Sequence, residues 1–156
     1  MPDGLYERDI LIWSEQQADL LRRLAAGERV NAAVDWANLI DEVESLGRSE
    51  LNACESLLVQ ALVHLLKLQV HPGHDAARHW RSEAVAFLST ARRRFTPSMQ
   101  GRINLPELYG DAVEALVAAY PERAGSVCDD CPFTLDELLQ RAGAVADLLA
   151  PRVASR

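Results

Sequence analysis

Residues 35–70, DWANLIDEVESLGRSELNACESLLVQALVHLLKLQV, decide the fold of this chain. Apolar side chains recur in this stretch every three or four residues, which places them on one face of an α-helix. The pattern keeps its phase through Gly47, so we predict one long helix over 35–70 with Asp35 as its N-cap. Gly47 is expected to face inward and to let another helix approach closely, at about 1 kcal/mol of helix propensity. A kink at this glycine is the alternative. The apolar face consists of Trp36, Leu39, Ile40, Val43, Gly47, Leu51, Cys54, Leu57, Leu58, Ala61 and Leu65.

The rest of the chain has the same helical period, and no segment alternates as a strand does. Further helices are predicted over 8–26, 75–95, 104–120 and 135–150. Their ends carry the expected signals, such as Gly27 after the first and a Thr134–Glu137 capping box before the last. We therefore predict an all-α fold, an antiparallel helical bundle of about five helices with one long central helix, in a single domain over 1–156.

The composition narrows the classes of function. The chain has 156 residues and a net charge of −7, which argues against a nucleic-acid or anionic-membrane partner. Its first residues, MPDGLYERD, lack the apolar core of a signal peptide, and 57–70 is too short and too polar to span a bilayer. Three cysteines fit a reducing compartment, and the near-exclusive use of arginine over lysine suggests a GC-rich bacterial genome. We predict a cytoplasmic bacterial protein.

Lys67 is the only lysine among sixteen basic residues, and it lies in the most apolar part of the chain. If the helices on either side of Pro72 and Gly73 form a hairpin, paired positions add to about 145, so Trp80 falls opposite residue 65. His64, Lys67 and Trp80 can then meet, and Glu42 lies on the same strip of the long helix. A compact ammonium in place of a planar guanidinium suggests a candidate site of His64, Lys67, Trp80 and Glu42. The alternative is a lysine that extends to solvent beside a core histidine.

Three other groups of residues, namely a C-x-x-C, the histidines near the turn and an arginine run, each have an ordinary structural explanation beside a functional one. Cys128 and Cys131 form a C-x-x-C, which is either half of a zinc site, a redox dithiol or an ordinary loop. His71, His74, Asp75 and His79 offer metal ligands, but their spacing forces no compact set of three. We predict no tightly bound metal and no cofactor.

The arginine run at 92–94 is either a nucleic-acid stripe or the complement of acidic residues on the facing helix. The hairpin places these arginines opposite residues 51–53, near Glu50 and Glu55. A helix C-terminus also favours cations. We therefore expect charge pairing between the two helices.

Several short motifs occur in a fixed order: LYERDILIW, DWANLIDEVESLGRSE, HLLKLQ, HW and CPFTLDELL. This series resembles the bacterial domain-of-unknown-function family 29 over about residues 5–140. The resemblance implies a helical bundle and no defined activity. The chain differs from the family at Leu68, where an aromatic residue is usual, and at Ala84 and Val85, where a polar residue and isoleucine are usual. The matching positions are Asp9, Trp13, Asp35, Leu39, Glu42, Glu44, Leu46, Gly47, His64, Lys67 and Trp80.

Two functions follow from these observations. The first is a non-enzymatic interaction or regulatory module that works through helical surfaces, with a protein partner or by self-association. The second is a ligand-binding or catalytic bundle that uses His64, Lys67 and Trp80 with a carboxylate, so enzymatic activity stays open. An exposed apolar surface favours the first function, and a pocket that reaches His64 and Lys67 favours the second.

Overall fold

The computed structural model describes residues 4–140 and 144–149, which form helices, turns and loops without a strand. The predicted all-α fold with one long central helix is confirmed. The α-helices of this part of the chain are α1 (Leu5–Arg8), α2 (Ile10–Ala25), α3 (Trp36–Val70), α4 (Ala77–Arg94), α5 (Leu105–Ala119), α6 (Leu135–Leu138) and α7 (Ala144–Leu149).

Residue contacts divide the chain into two compact units, Met1–Arg48 and Ser49–Arg156, which we call the N-unit and the C-unit. Helix α3 contributes residues to both units. The single domain expected over 1–156 stays a prediction.

The N-unit contains α1, α2, a 3-10 turn at Asn31–Ala33 and the first part of α3. Asp9 separates α1 from α2, because its side chain accepts a hydrogen bond from the Ile12 amide at 3.1 Å and caps the second helix. The predicted helix 8–26 therefore begins two residues later, at Ile10. It ends as predicted before Gly27, which adopts a φ of 90° that other residues avoid. Asp35 caps α3 through the Asn38 amide at 3.4 Å.

The apolar face predicted for α3 is not covered in the N-unit. Trp36, Ile40 and Val43 are between 46% and 62% exposed. Gly47 is exposed as well, and a Cβ added there would meet no described atom within 4 Å. The expectation that Gly47 faces inward is therefore wrong. Helical periodicity shows which side chains share a face, but it does not show whether another element covers that face.

The C-unit holds the hydrophobic core. The α3 face that begins at Cys54 is fully buried there, together with residues of α4, α5 and α6. Helices α3 and α4 run antiparallel, since the Cys54 Sγ lies 3.7 Å from the Ala91 carbonyl oxygen and Arg94 pairs with Glu50 at 3.2 Å. These position numbers add to 145 and 144, which agrees with the predicted hairpin register, and the predicted charge pairing is confirmed for Arg94 and Glu50.

The later helices of the C-unit begin where the sequence predicts. Asn104 caps α5 through the Glu107 amide, and Thr134 and Glu137 form the expected capping box before α6. Within the predicted helix 135–150, however, α6 stops at Leu138 and α7 starts at Ala144. Residues 141–143 and 150 lie outside the described part of the chain.

Helix α3 is long and apolar enough, by length and composition alone, to cross a membrane. Of its most apolar stretch, 44% is buried inside the protein, and the core helix of a soluble protein has the same composition.

Candidate functional site

Lys67 and Trp80 meet in the C-unit, as the hairpin register predicts. The Lys67 Nζ lies 5.7 Å from the centroid of the Trp80 ring, within the range of a cation–π interaction. Trp80 is buried and Lys67 is half-buried. The apolar stem of the lysine can therefore lie along the core while its ammonium reaches a ring face and solvent.

Two histidines and a tyrosine complete an aromatic cluster around Trp80. The His74 ring stacks on the Trp80 ring with centroids 4.6 Å apart, and His71 packs beside Tyr120 at 4.7 Å. Tyr120 also makes an edge contact with Trp80 at 6.5 Å. The cluster thus joins the end of α3, the turn after it, the start of α4 and the residue that ends α5. We call Lys67, His71, His74, Trp80 and Tyr120 the Trp80 cluster.

One polar atom of the Trp80 cluster is unsatisfied. The His71 Nε2 is buried and has no hydrogen-bond partner among the described residues. The cost of such a nitrogen is on the order of 1–3 kcal/mol, so a small ligand or a water molecule that bonds to it would be stabilised. The sequence identified His71 and His74 as possible metal ligands near the turn and did not place them beside Trp80, and it offered no signal for Tyr120.

His64 has other neighbours. Its Nδ1 lies 2.8 Å from the Gln60 carbonyl oxygen on the preceding turn of α3, and its ring packs against Phe87 with centroids 5.5 Å apart. These contacts agree with a histidine that fills space at the edge of the core. The structure therefore joins Lys67 to Trp80 and gives His64 a separate partner.

Glu42, the carboxylate of the predicted site, belongs to the N-unit. It accepts a hydrogen bond from the Tyr6 hydroxyl at 2.5 Å. That hydrogen bond, with desolvation and the negative charge of Glu42, raises the pKa of Tyr6 above 10.0. The described contacts of Glu42 thus lie in α1 of its own unit.

A hydrogen-bond network around Asp35 organises the N-unit. The Trp13 indole Nε1 donates to the Asp35 carboxylate at 3.1 Å, and the Gln17 side chain accepts from the Asp35 amide at 2.8 Å. The Asn38 side chain donates to the same carboxylate at 2.8 Å. Hydrogen bonds from Asn38 and Trp13 stabilise the charged form and lower the pKa of Asp35 below its usual 3.8, although desolvation opposes this.

Beside this network the N-unit has an open groove of about 620 Å³, with Tyr6, Trp13 and Trp36 among its walls. A second cavity, of about 580 Å³, lies in the C-unit against Arg81 and Cys128. Neither of these two cavities is lined by His64 or Lys67.

Large apolar side chains are exposed mainly in the N-unit. Eight of the nine exposed ones in the described structure lie there, and Val85 is the ninth. Those eight are Ile10, Leu11, Ile12, Leu21, Trp36, Ile40, Val43 and Leu46. We call them the N-unit apolar surface.

The C-x-x-C and the histidines near the turn have the following surroundings. Among the described residues no three His, Cys, Asp or Glu side chains are arranged to hold a metal ion. Cys128 is exposed, and its carbonyl oxygen accepts a hydrogen bond from the Tyr109 hydroxyl at 2.8 Å. Burial raises the pKa of Tyr109 to about 12, with smaller contributions from Cys128, Cys131 and Asp129.

The arginine run is engaged within the protein. Arg92 donates to the Gln140 carbonyl oxygen, Arg93 donates to Ser89 and Thr90, and Arg94 pairs with Glu50. Of these contacts, the Arg94–Glu50 pair is the interhelical charge pairing that the sequence predicted, whereas Arg92 and Arg93 bond to neutral groups.

The pattern of the family described as domain of unknown function DUF29 matches residues 5–142. The chain belongs to this family. Several of the positions that carry the resemblance, namely Asp9, Trp13, Asp35 and Glu42, make the hydrogen bonds of the N-unit described above. In this DUF29 chain they therefore act as caps and supports of its first helices.

The fold is also similar to a solved structure, that of an α-helical protein of unknown function from Rhodospirillum rubrum. The two chains are 29% identical, with a TM-score of 0.71, over 93% of this chain and 95% of the other. No curated protein matches the DUF29 chain.

Proposed function

We propose that this DUF29 protein is a non-enzymatic interaction module and that the N-unit apolar surface is its contact surface. The observation that carries the proposal is the concentration of exposed large apolar side chains in one unit. Scattered single apolar side chains are ordinary on a protein surface, whereas their concentration in one unit favours a binding surface there.

The small core of the N-unit supports this proposal. Its buried side chains, among the described residues, are Trp13, Gln17 and Val34. A unit of this size that buries so little gains stability when a partner covers its apolar side chains. The Asp35 network holds its helices in place, so the surface is already formed before the partner binds.

We further propose that the module acts in the bacterial cytoplasm and that it has a regulatory role. The arginine-rich composition and three cysteines support the location. A surface that binds reversibly supports regulation, because the occupied fraction then follows the concentration of the partner.

Photo-cross-linking tests the proposal. A photoreactive amino acid is placed at Ile12 or Val43 in the N-unit, and at Val85 in the C-unit as the matched exposed apolar control. We expect discrete covalent adducts in bacterial cells from the two N-unit positions and none from Val85. The same adducts from all three positions, or none from any, would refute the proposal.

A second function is favoured by the Trp80 cluster. The Trp80 ring contacts both the His74 ring and the Lys67 ammonium, and the buried His71 Nε2 has no hydrogen-bond partner among the described residues. This arrangement offers a cation, a ring face and a nitrogen to a small anionic or aromatic ligand.

A thermal-shift screen of small carboxylates and aromatic acids tests this second function, since a ligand of the native state raises the melting temperature. Binding at the cluster predicts that Lys67→Met abolishes the shift. Arg78→Met removes an exposed cation near the start of α4 and is expected to leave the shift unchanged. A screen without any shift, or a shift that Lys67→Met retains, argues against a ligand site here.

A further inference from the structure

The exposed side of α3 in the N-unit forms a narrow apolar strip. At 100° per residue, the side chains at 36, 39, 40, 43, 46 and 47 fall within an arc of about 120°. Four of them belong to the N-unit apolar surface, Leu39 is half-buried and Gly47 has no side chain. We call Trp36, Leu39, Ile40, Val43, Leu46 and Gly47 the α3 strip.

The α3 strip continues a face that is already an interface. In the C-unit the same face of α3, at Cys54, Leu58, Ala61 and Leu65, is fully buried, and α4 packs against it. The strip repeats this spacing with apolar side chains, but they stay exposed. An antiparallel helix from another molecule would cover the strip as α4 covers its continuation.

Gly47 is a second, independent observation. A glycine in a helix interior weakens the helix, and the missing side chain relieves no contact in the described part of the chain, because a Cβ at Gly47 would meet no described atom within 4 Å. An open notch in an apolar strip accommodates a large side chain from a partner.

Trp36 of the α3 strip is a side chain of this size. In an antiparallel pair of two α3 strips whose position numbers add to 83, Trp36 of each copy lies over Gly47 of the other. Ile40 then faces Val43, and Leu39 lies beside Leu46. Every contact occurs twice about a twofold axis, as in symmetric dimers. A parallel pair would instead set Trp36 against Trp36 and leave a gap at Gly47.

We propose that the α3 strip binds the α3 strip of a second copy of this chain in this antiparallel register. The inference rests on the proposed function and names its partner. It accounts for a tryptophan that stays 46% exposed although its indole nitrogen donates to the Asn31 carbonyl oxygen, and for a helix-interior glycine whose missing side chain leaves open space.

The buried area sets the strength of the pairing. The five apolar side chains of the strip, four of them between 46% and 68% exposed and Leu39 half-buried, bury on the order of 300 Å² per copy, at roughly 60 Å² each. The pair then buries about 600 Å² from the strips alone, less than the roughly 1,200 Å² of stable complexes. The dimer is therefore reversible and depends on protein concentration.

Sedimentation equilibrium of the full chain from micromolar to millimolar concentration tests the pairing. The wild type is expected to shift from monomer to dimer across this range. Ile40→Glu and Val43→Lys are each expected to stay monomeric, because each buries two uncompensated charges in the homodimer. An equimolar mixture of the two variants is expected to regain a dimer, because position 40 of one faces position 43 of the other.

Two control variants distinguish the loss of the antiparallel dimer contact from a loss of folding. Val85→Glu changes an exposed apolar residue outside the strip and is expected to dimerise as the wild type does. Gly47→Ala is expected to strengthen the helix, so a lost dimer would not reflect unfolding. Its methyl group lies under the partner's Trp36 and is expected to weaken dimerisation at least severalfold. A wild type that stays monomeric up to millimolar concentration overturns the inference. So does a variant mixture that stays monomeric, or a Gly47→Ala variant that dimerises as well as the wild type.

These outcomes are distinct from failure of the proposed function. A monomeric wild type whose cross-links at Ile12 and Val43 join a different protein overturns self-association and leaves the interaction module standing. A monomeric wild type that gives no cross-linked adducts contradicts both the self-association and the proposed interaction function.

Discussion

Gly47→Ala is expected to stabilise the isolated monomer by about 0.8–1.0 kcal/mol, the difference in helix propensity between alanine and glycine. The structure adds no opposing contribution. Gly47 is exposed in the interior of α3, its φ is not positive, and a new Cβ meets no described atom within 4 Å. For a chain of this length, such a gain raises the melting temperature by roughly 2–4 °C.

Urea unfolding at low micromolar concentration, where the monomer predominates, measures this gain. Gly110→Ala is the matched control, because Gly110 is exposed in the interior of α5 and a Cβ there also meets open space. Both variants should gain the same amount, and only Gly47→Ala should weaken dimerisation. If Gly47→Ala lowers the free energy of unfolding while Gly110→Ala raises it, Gly47 packs closely within the monomer and this reasoning is refuted.

Leu65→Ala should lower the free energy of unfolding in urea by about 3–5 kcal/mol, because Leu65 is fully buried. Leu46→Ala, at an exposed position of the same helix, should change it by less than about 0.5 kcal/mol. Equal losses for the two variants would contradict the assigned burial. The lowered pKa of Asp35, due first to the Asn38 side chain, contributes stability above pH 3.8 that is lost as pH falls through the folded-state value. Asp35→Asn should therefore flatten the fall in unfolding free energy below pH 3.8, and an unchanged pH profile would argue against this contribution. Lys67→Arg should change the stability by less than about 1 kcal/mol, yet weaken any ligand bound at the Trp80 cluster; a ligand that binds the arginine variant equally well by calorimetry would exclude a role for the ammonium.

Local sequence signals predicted much of the C-unit. The proline and glycine at 72–73 forced a turn, and the antiparallel register followed from counting residues on either side of it. That register correctly paired Glu50 with Arg94 and brought Lys67 to Trp80. Such contacts are predictable because a short turn ties the two helices together and leaves little freedom in their alignment.

The rest of the Trp80 cluster could not be predicted in this way. Tyr120 reaches it from the end of α5, about fifty residues after His71 in the chain, and no local pattern specifies how α5 packs. The described neighbours of His64 were not specified by the sequence either. Its ring packs against Phe87 of α4, a contact that the spacing of residues on α3 does not predict.

The sequence by itself determined that the chain is helical, where the longer helices α2 to α5 lie and which side chains share a face. These properties depend on hydrogen bonds, turns and periodicities that span only a few residues. The tertiary structure alone decided which part of the α3 face becomes core. One apolar periodicity runs from Trp36 to Leu65, yet it is buried in the C-unit and exposed in the N-unit. Burial depends on whether a second helix is present to exclude water, and the periodicity of one helix contains no information about its neighbour.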